Sequence, residues 1–153
     1  MAEPLRIALV GAGGRIAGDW RHAAAGMPEV RITALVETDP AARARLACED
    51  AALLADPDAL SRRDDVDAAI VATPPATHVA LGERLLATGR DVLCEKPLAI
   101  DLLGATRLLD AAKASGRVLM MASKFRFVDD VEEARRRIAA GDIGEPVLYE
   151  NTF

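Results

Sequence analysis

Short apolar runs that stop at a turn residue and give way to a helical pattern recur along the chain, and nothing else in it restricts the fold as much. Leu5–Val10 stops at Gly11, and a helical pattern follows over 15–26. Val30–Val36 ends at Glu37, after which Asp39 and Pro40 offer an N-cap and a first-turn proline for a helix expected to reach Cys48. The pattern is thinner over 51–67, where a short strand near Leu53 and a helical turn after Asp58 are expected. Residues 68–72 form the next apolar run, broken by Thr73-Pro74-Pro75, and Thr77 can cap a helix that Gly89 stops. Residues 91–94 close on Glu95-Lys96-Pro97, and Asp101 caps a helix ending at Ser115-Gly116. A strand over 118–122, a charged amphipathic helix over 128–140 and an extended segment over 146–153 complete the chain. Apolar runs without polar alternation suit strands buried on both faces. Their alternation with helices requires parallel pairing through crossover helices, so the expected fold is a doubly wound α/β/α sheet of about six strands.

Composition narrows the function classes. At 153 residues the chain matches one ordinary domain. A net charge of −5 gives neither nucleic acid nor an anionic membrane a basic surface to bind. No apolar stretch approaches the roughly 18–20 residues of a membrane span. The N-terminus runs from Met-Ala-Glu-Pro straight into a strand, without the pattern of a signal peptide. Cys48 and Cys94 lie in no CxxC or Cys/His cluster, so reduced, buried thiols, no metal site and a cytoplasmic setting are expected. Of 19 basic residues only Lys96, Lys113 and Lys124 are lysines, which makes each of them more informative than usual.

The first strand-to-helix turn reads Gly11-Ala12-Gly13-Gly14-Arg15-Ile16-Ala17. Glycines there let backbone approach a pyrophosphate, and the helix N-terminus presents free N–H groups and a partial positive charge. A G-x-G-x-x-G match from Gly11 fails at Ile16, whereas Gly11, Gly14 and Ala17 fit a G-x-x-G-x-x-[GA] spacing. Read alone, the turn could be no more than a tight structural corner; its place after the first strand favours the phosphate site. Glu37, at the end of the second strand, can accept both ribose hydroxyls of an adenosine and would repel the extra phosphate of NADP, so NAD is favoured. A solvated strand-end acid is the alternative.

Farther along, Ile70-Val71-Ala72-Thr73-Pro74-Pro75-Ala76-Thr77-His78, then Asp91-Val92-Leu93-Cys94-Glu95-Lys96-Pro97-Leu98-Ala99, resemble the glucose–fructose oxidoreductase / inositol dehydrogenase / MocA (Gfo/Idh/MocA) family. The resemblance continues through Met121-Ala122-Ser123-Lys124-Phe125-Arg126-Phe127 and Gly141-Asp142-Ile143-Gly144-Glu145. It implies an NAD(P)-binding Rossmann domain over 1–145 in an oxidoreductase acting on a sugar, polyol or related compound, from a parent that forms homo-oligomers. It implies that Lys96 is the active-site lysine, between nicotinamide ribose and substrate hydroxyl, and that Glu95 lines the same pocket. A cis peptide before Pro97 would aim Lys96 at the cofactor. Thr73, Pro74 and Pro75 match the loop passing ribose and pyrophosphate, and His78 the histidine near the cofactor at the next helix start, where a purely structural polar contact is the alternative. Lys124 stands where many members carry asparagine near the nicotinamide, and Arg126 matches a frequent arginine close to the site.

Trp20 and His22 read as packing and surface residues, and Arg135-Arg136-Arg137 with Glu132 and Glu133 as a solvated face of helical ion pairs. The resemblance also implies a second, substrate-binding domain carrying an Asp-x-x-x-His motif, of which 146–153 would be the first strand; without it the 153-residue chain is expected to be inactive. Other readings are a non-catalytic nucleotide-binding sensor or regulatory module, an NAD-dependent glycosidase, and a dihydrodipicolinate-reductase-like enzyme suggested by Gly14-Arg15-Ile16-Ala17. Glu95-Lys96-Pro97 favours an enzyme over a sensor, and with the Thr-Pro loop it argues against the reductase.

Overall fold

The computed structural model describes residues 3–46 and 50–150. The chain divides into two compact units, Met1–Ala122 and Ser123–Phe153. The six strands among the described residues lie in the first: β1 (Leu5–Val10), β2 (Val30–Val36), β3 (Ala52–Leu54), β4 (Ala68–Val71), β5 (Asp91–Glu95) and β6 (Leu119–Ala122). They form one parallel sheet in the order β3-β2-β1-β4-β5-β6. The helices are α1 (Arg15–Ala25), α2 (Pro40–Ala44), α3 (His78–Ala87), α4 (Leu102–Ser115) and, in the second unit, α5 (Asp129–Ala140). The doubly wound α/β architecture expected from the apolar runs is therefore the fold.

The core explains the strand sequences. Ala8, Val10, Ala34, Val36, Ala69 and Val71 pack on one face of the sheet with Leu85, Leu86 and Leu108 from α3 and α4. Ile7, Leu9, Leu35 and Ile70 pack on the other with Ala12, Ala17 and Trp20 from the glycine turn and α1. Central strands thus bury both sets of alternate residues, which is why they read as continuous apolar runs.

Four local readings are corrected. α2 ends at Ala44, well before Cys48, and Arg45 and Leu46 tighten the exit through N–H bonds to Ala42 and Arg43. Cys48 itself lies outside the described residues. Thr77 makes no side-chain cap on α3; residues Pro75–Thr77 form a 3₁₀ turn, and the Thr77 hydroxyl bonds Thr73 Oγ1 and the Pro74 carbonyl instead. β6 begins at Leu119, because the Val118 N–H is taken by the Asp91 carboxylate. Residues 146–150 form no strand, and Val147, Leu148 and Tyr149 are exposed. The other boundaries follow their signals: Asp39 caps α2 and Asp101 caps α4 through the Ala42 and Gly104 N–H groups, and Gly116 closes α4 in the left-handed region. On α5, Glu133 pairs with Arg136 and Arg137 one turn on.

Candidate dinucleotide-binding site

Parallel strands all end on one edge, so every loop that follows a strand converges there. The order of strands reverses between β1 and β4, and the loops leaving these two, Gly11–Gly14 and Thr73–Pro75, face each other across that point. Gly11 has φ +84°, and a Cβ there would sit 2.8 Å from Thr73 Cγ2 and 2.9 Å from the Ala72 carbonyl oxygen. A Cβ on Gly13 would meet Glu37 Oε2 at 2.7 Å. Gly14 caps α1 without any side-chain hydrogen bond, and no acidic side chain occupies the first turn. The helix start is thereby left to receive an anion. Ala12 is buried in the turn, Ile16 partly so, and Arg15 is exposed, reaching toward Asp19.

Glu37 closes the other side. Its Oε2 accepts from the Gly13 N–H at 2.8 Å and its Oε1 from the Asp39 N–H at 2.9 Å, while Arg43 Nη1 donates to the Glu37 carbonyl at 2.7 Å. These bonds set the carboxylate over the glycine turn, and each oxygen keeps a further acceptor site. Between the two loops opens a cavity of about 490 Å³, lined by Gly11, Gly14, Glu37, Thr73, Pro74 and Arg84 among others. Arg84 is paired with Asp58 at its rim.

β5 delivers Glu95, Lys96 and Pro97 to the same edge, with a cis peptide between Lys96 and Pro97 as expected. Lys96 is exposed. Glu95 Oε1 accepts from the indole Nε1–H of Trp20 at 2.9 Å, and Oε2 from the backbone N–H of Lys96 at 3.2 Å. His78 is fully buried, with Nδ1 2.8 Å from the Pro97 carbonyl oxygen and Nε2 2.8 Å from that of Thr73. Cys94, directly before Glu95, is buried; burial, and then the Glu95 charge, push its thiol up to about 12, so it stays protonated and inert.

Thirteen residues singled out from sequence, Gly11 through Ile16, Glu37, Thr73, Pro74, Pro75, His78, Glu95 and Lys96, thus share the C-terminal edge of one sheet. Lys124 belongs to the second unit, in the 3₁₀ turn Lys124–Phe127, with its ammonium 5.3 Å from the Phe125 ring centre. Trp20 packs as its sequence position leads one to expect, but its bond to Glu95 is what sequence reasoning missed. It lies three positions after the buried Ala17 on the sheet-facing side of α1, and a half-buried indole N–H requires an acceptor. That pairing of facts was the available signal.

A parallel sheet with a glycine turn at its reversal point and a carboxylate ending its second strand is a dinucleotide-binding domain of the Rossmann type. Residues 5–123 match the family model for Gfo/Idh/MocA, described as an oxidoreductase family with an NAD-binding Rossmann fold. The chain belongs to this family. It is similar to inositol 2-dehydrogenase 1 of Saccharopolyspora erythraea, 34% identical over 148 residues, covering 94% of this chain and 44% of that protein. Among solved structures, a protein from gentamicin A biosynthesis in complex with NAD superposes with a TM-score of 0.84 at 31% identity, over 93% of this chain and 41% of that one. A mutant 3-ketoreductase of Actinomadura kijaniata in complex with TDP-benzene and NADP gives a TM-score of 0.79 at 31% identity, over 94% and 44%. The chain therefore spans less than half the length of these relatives. None of its helices, among the described residues, is long and apolar enough to cross a membrane.

Proposed function

We propose that this chain binds NAD in preference to NADP and is the cofactor-binding part of a dehydrogenase that moves hydride between nicotinamide and a hydroxyl-bearing carbon of a sugar, polyol or related compound. The observation that carries the proposal is the Glu37 carboxylate, oriented by the Gly13 and Asp39 N–H groups at the rim of the cavity beside the glycine turn. At Gly11 and Gly13 the space a Cβ would need is already taken by Thr73, the Ala72 carbonyl, Glu37 and Ala42, so the turn can present only backbone to a dinucleotide. In this reading the turn and the start of α1 hold the pyrophosphate, and the free acceptor sites of Glu37 take the two hydroxyls of the adenosine ribose. Thr73, Pro74 and Pro75 form the facing wall, and His78 anchors it. When bound, the nicotinamide supplies the hydride acceptor or donor. Lys96 donates a hydrogen bond to the substrate oxygen and stabilises the negative charge that develops there as hydride departs. The similarity to an inositol 2-dehydrogenase supports a polyol as the substrate class.

Calorimetric titration with NADH and NADPH tests the cofactor reading. A carboxylate and a phosphate within hydrogen-bonding range at a partly exposed site repel by roughly 1–3 kcal/mol. NADH is therefore expected to bind tighter by about tenfold or more, and Glu37→Gln should erase most of the difference. Tighter binding of NADPH to the unaltered chain would overturn the assignment. In the whole protein, Lys96→Ala should lower turnover strongly and leave the affinity for NADH nearly unchanged; near-normal turnover would remove Lys96 from the chemistry.

A further inference from the structure

Two side chains brace the Glu95–Pro97 corner from opposite faces of the sheet. On the α1 face, Trp20 donates its indole N–H to Glu95 Oε1 at 2.9 Å, and the other oxygen of that carboxylate accepts the Lys96 backbone N–H at 3.2 Å. On the α3 face, the buried His78 ring lies between two loops, 2.8 Å from the Pro97 carbonyl oxygen and 2.8 Å from the Thr73 carbonyl oxygen. The Lys96 N–H is therefore held by a carboxylate that Trp20 holds from α1, and the Pro97 carbonyl, one residue on, is held by His78 from α3. The lysine side chain itself is exposed and long, and its four-carbon stem turns freely. What can be fixed is the point from which that stem departs, and both ties act there.

We propose that Trp20 and His78 are positioning residues for Lys96, Trp20 acting through Glu95 and His78 through the Pro97 carbonyl. Glu95 then serves the lysine rather than the ligand: its two oxygens connect an indole to a backbone amide. With the ring proton on Nδ1, His78 donates to the Pro97 carbonyl of the lysine's own turn while Nε2 lies against the Thr73 carbonyl in the wall of the cofactor cavity. Sealing an imidazole and seating an indole N–H against a carboxylate have a desolvation cost that apolar side chains would avoid. The arrangement gains in return a fixed register between the cofactor wall and the lysine. The proposal rests on reading Lys96 as the lysine that meets the substrate.

The test uses hydrogen exchange at the Lys96 amide of the 153-residue chain, with core amides of β1 and β4 as internal reference, and emission from Trp20, the only tryptophan. Trp20→Phe keeps a ring but removes the donor. His78→Leu removes both ring nitrogens, and His78→Gln, which retains a donor, serves if the leucine variant does not fold. Each brace is a net hydrogen bond of ordinary strength, so Trp20→Phe and His78→Leu are each expected to speed Lys96 exchange about two- to tenfold while the reference amides change less. Glu95→Ala should shift Trp20 emission in the unliganded chain. In the whole protein, Trp20→Phe should lower kcat severalfold with the dissociation constant for NADH unchanged. Unaltered Lys96 exchange in both variants, or an emission spectrum indifferent to Glu95→Ala, would overturn the bracing. Near-normal turnover of Lys96→Ala would instead overturn the catalytic reading, leaving the exchange result to stand, so the two failures are told apart.

Discussion

Gly11→Ala puts the central geometric claim at risk. Gly11 holds φ +84°, and a new Cβ would lie 2.8 Å from Thr73 Cγ2, 2.9 Å from the Ala72 carbonyl oxygen and 3.0 Å from its carbon. The left-handed backbone alone costs an L-residue about 1–2 kcal/mol. Thr73 can rotate away, but the Ala72 peptide closes β4 and its N–H is held by the Val10 carbonyl at 2.8 Å, so the backbone overlap adds about 1–3 kcal/mol. The sum, about 2–5 kcal/mol, is large beside the roughly 5–15 kcal/mol that holds a domain folded. The strain is relieved by moving the glycine turn away from β4, which widens the crevice where a pyrophosphate would lie. Urea unfolding should show a lower midpoint at unchanged slope, and titration should show NADH affinity falling by more than about tenfold. Gly18→Ala is the control: it lies within α1 with nothing inside 4 Å of its Cβ, so alanine should add up to about 1 kcal/mol and leave NADH affinity alone. Similar behaviour of the two variants would refute the reasoning.

Two further outcomes follow from groups away from the site. Arg90 is buried just before β5 and donates to the carbonyls of Leu60, Arg63 and Thr88; desolvation lowers its pKa, and the Asp65 charge opposes that shift. Arg90→Met removes the donor from all three carbonyls, of which Leu60 keeps the Arg63 N–H, and should destabilise the fold by about 2–4 kcal/mol in urea unfolding, with NADH affinity little changed. Hydrogen bonds from Arg6 hold the Asp67 carboxyl down at about 2 from its usual 3.8, so Asp67 contributes stability that is complete above pH 3.8 and is lost as pH falls toward 2. Because both side chains are more than a third exposed, the effect is modest; acid titrations should show Asp67→Asn with a flatter decline over that window, and an identical decline would remove the pair from the acid limb.

What was legible in the sequence divides along a physical line. β1 and β2 match their apolar runs residue for residue: the last four residues of each are buried, and the charged Arg6 and Arg31 fall in the less buried first half. The glycine turn, Glu37 and the Glu95-Lys96-Pro97 corner could be placed because each directly follows a strand, and a strand's end fixes its edge. Capping was legible where an aspartate stood free to cap, at Asp39 and Asp101, and misleading at Thr77, whose hydroxyl has a nearer partner in Thr73. The end of α2 was not readable, since a five-residue helix makes too few hydrogen bonds for propensity to decide its length. Trp20 with Glu95, 75 positions apart, and His78 with Pro97, 19 apart, are products of the topology, and no local pattern announces them.

The position of Trp20 nonetheless has a reason in the same physics that produced the glycine turn. A backbone that must come close to a pyrophosphate cannot carry bulk, and this face of the sheet is accordingly covered at the turn by Ala12 and Ala17, both buried, where the opposite face carries Leu85, Leu86 and Leu108. Alanines alone would leave this face thinly packed. One residue farther round the helix from the glycine turn can supply the missing volume without obstructing the phosphate approach, and Trp20, three positions after Ala17, packs there against the cluster. A large apolar side chain would fill that space equally well. An indole also brings a donor, and the strand end it overhangs is Glu95, so the residue that compensates for the small ones at the cofactor turn is also the one that holds the acid next to Lys96.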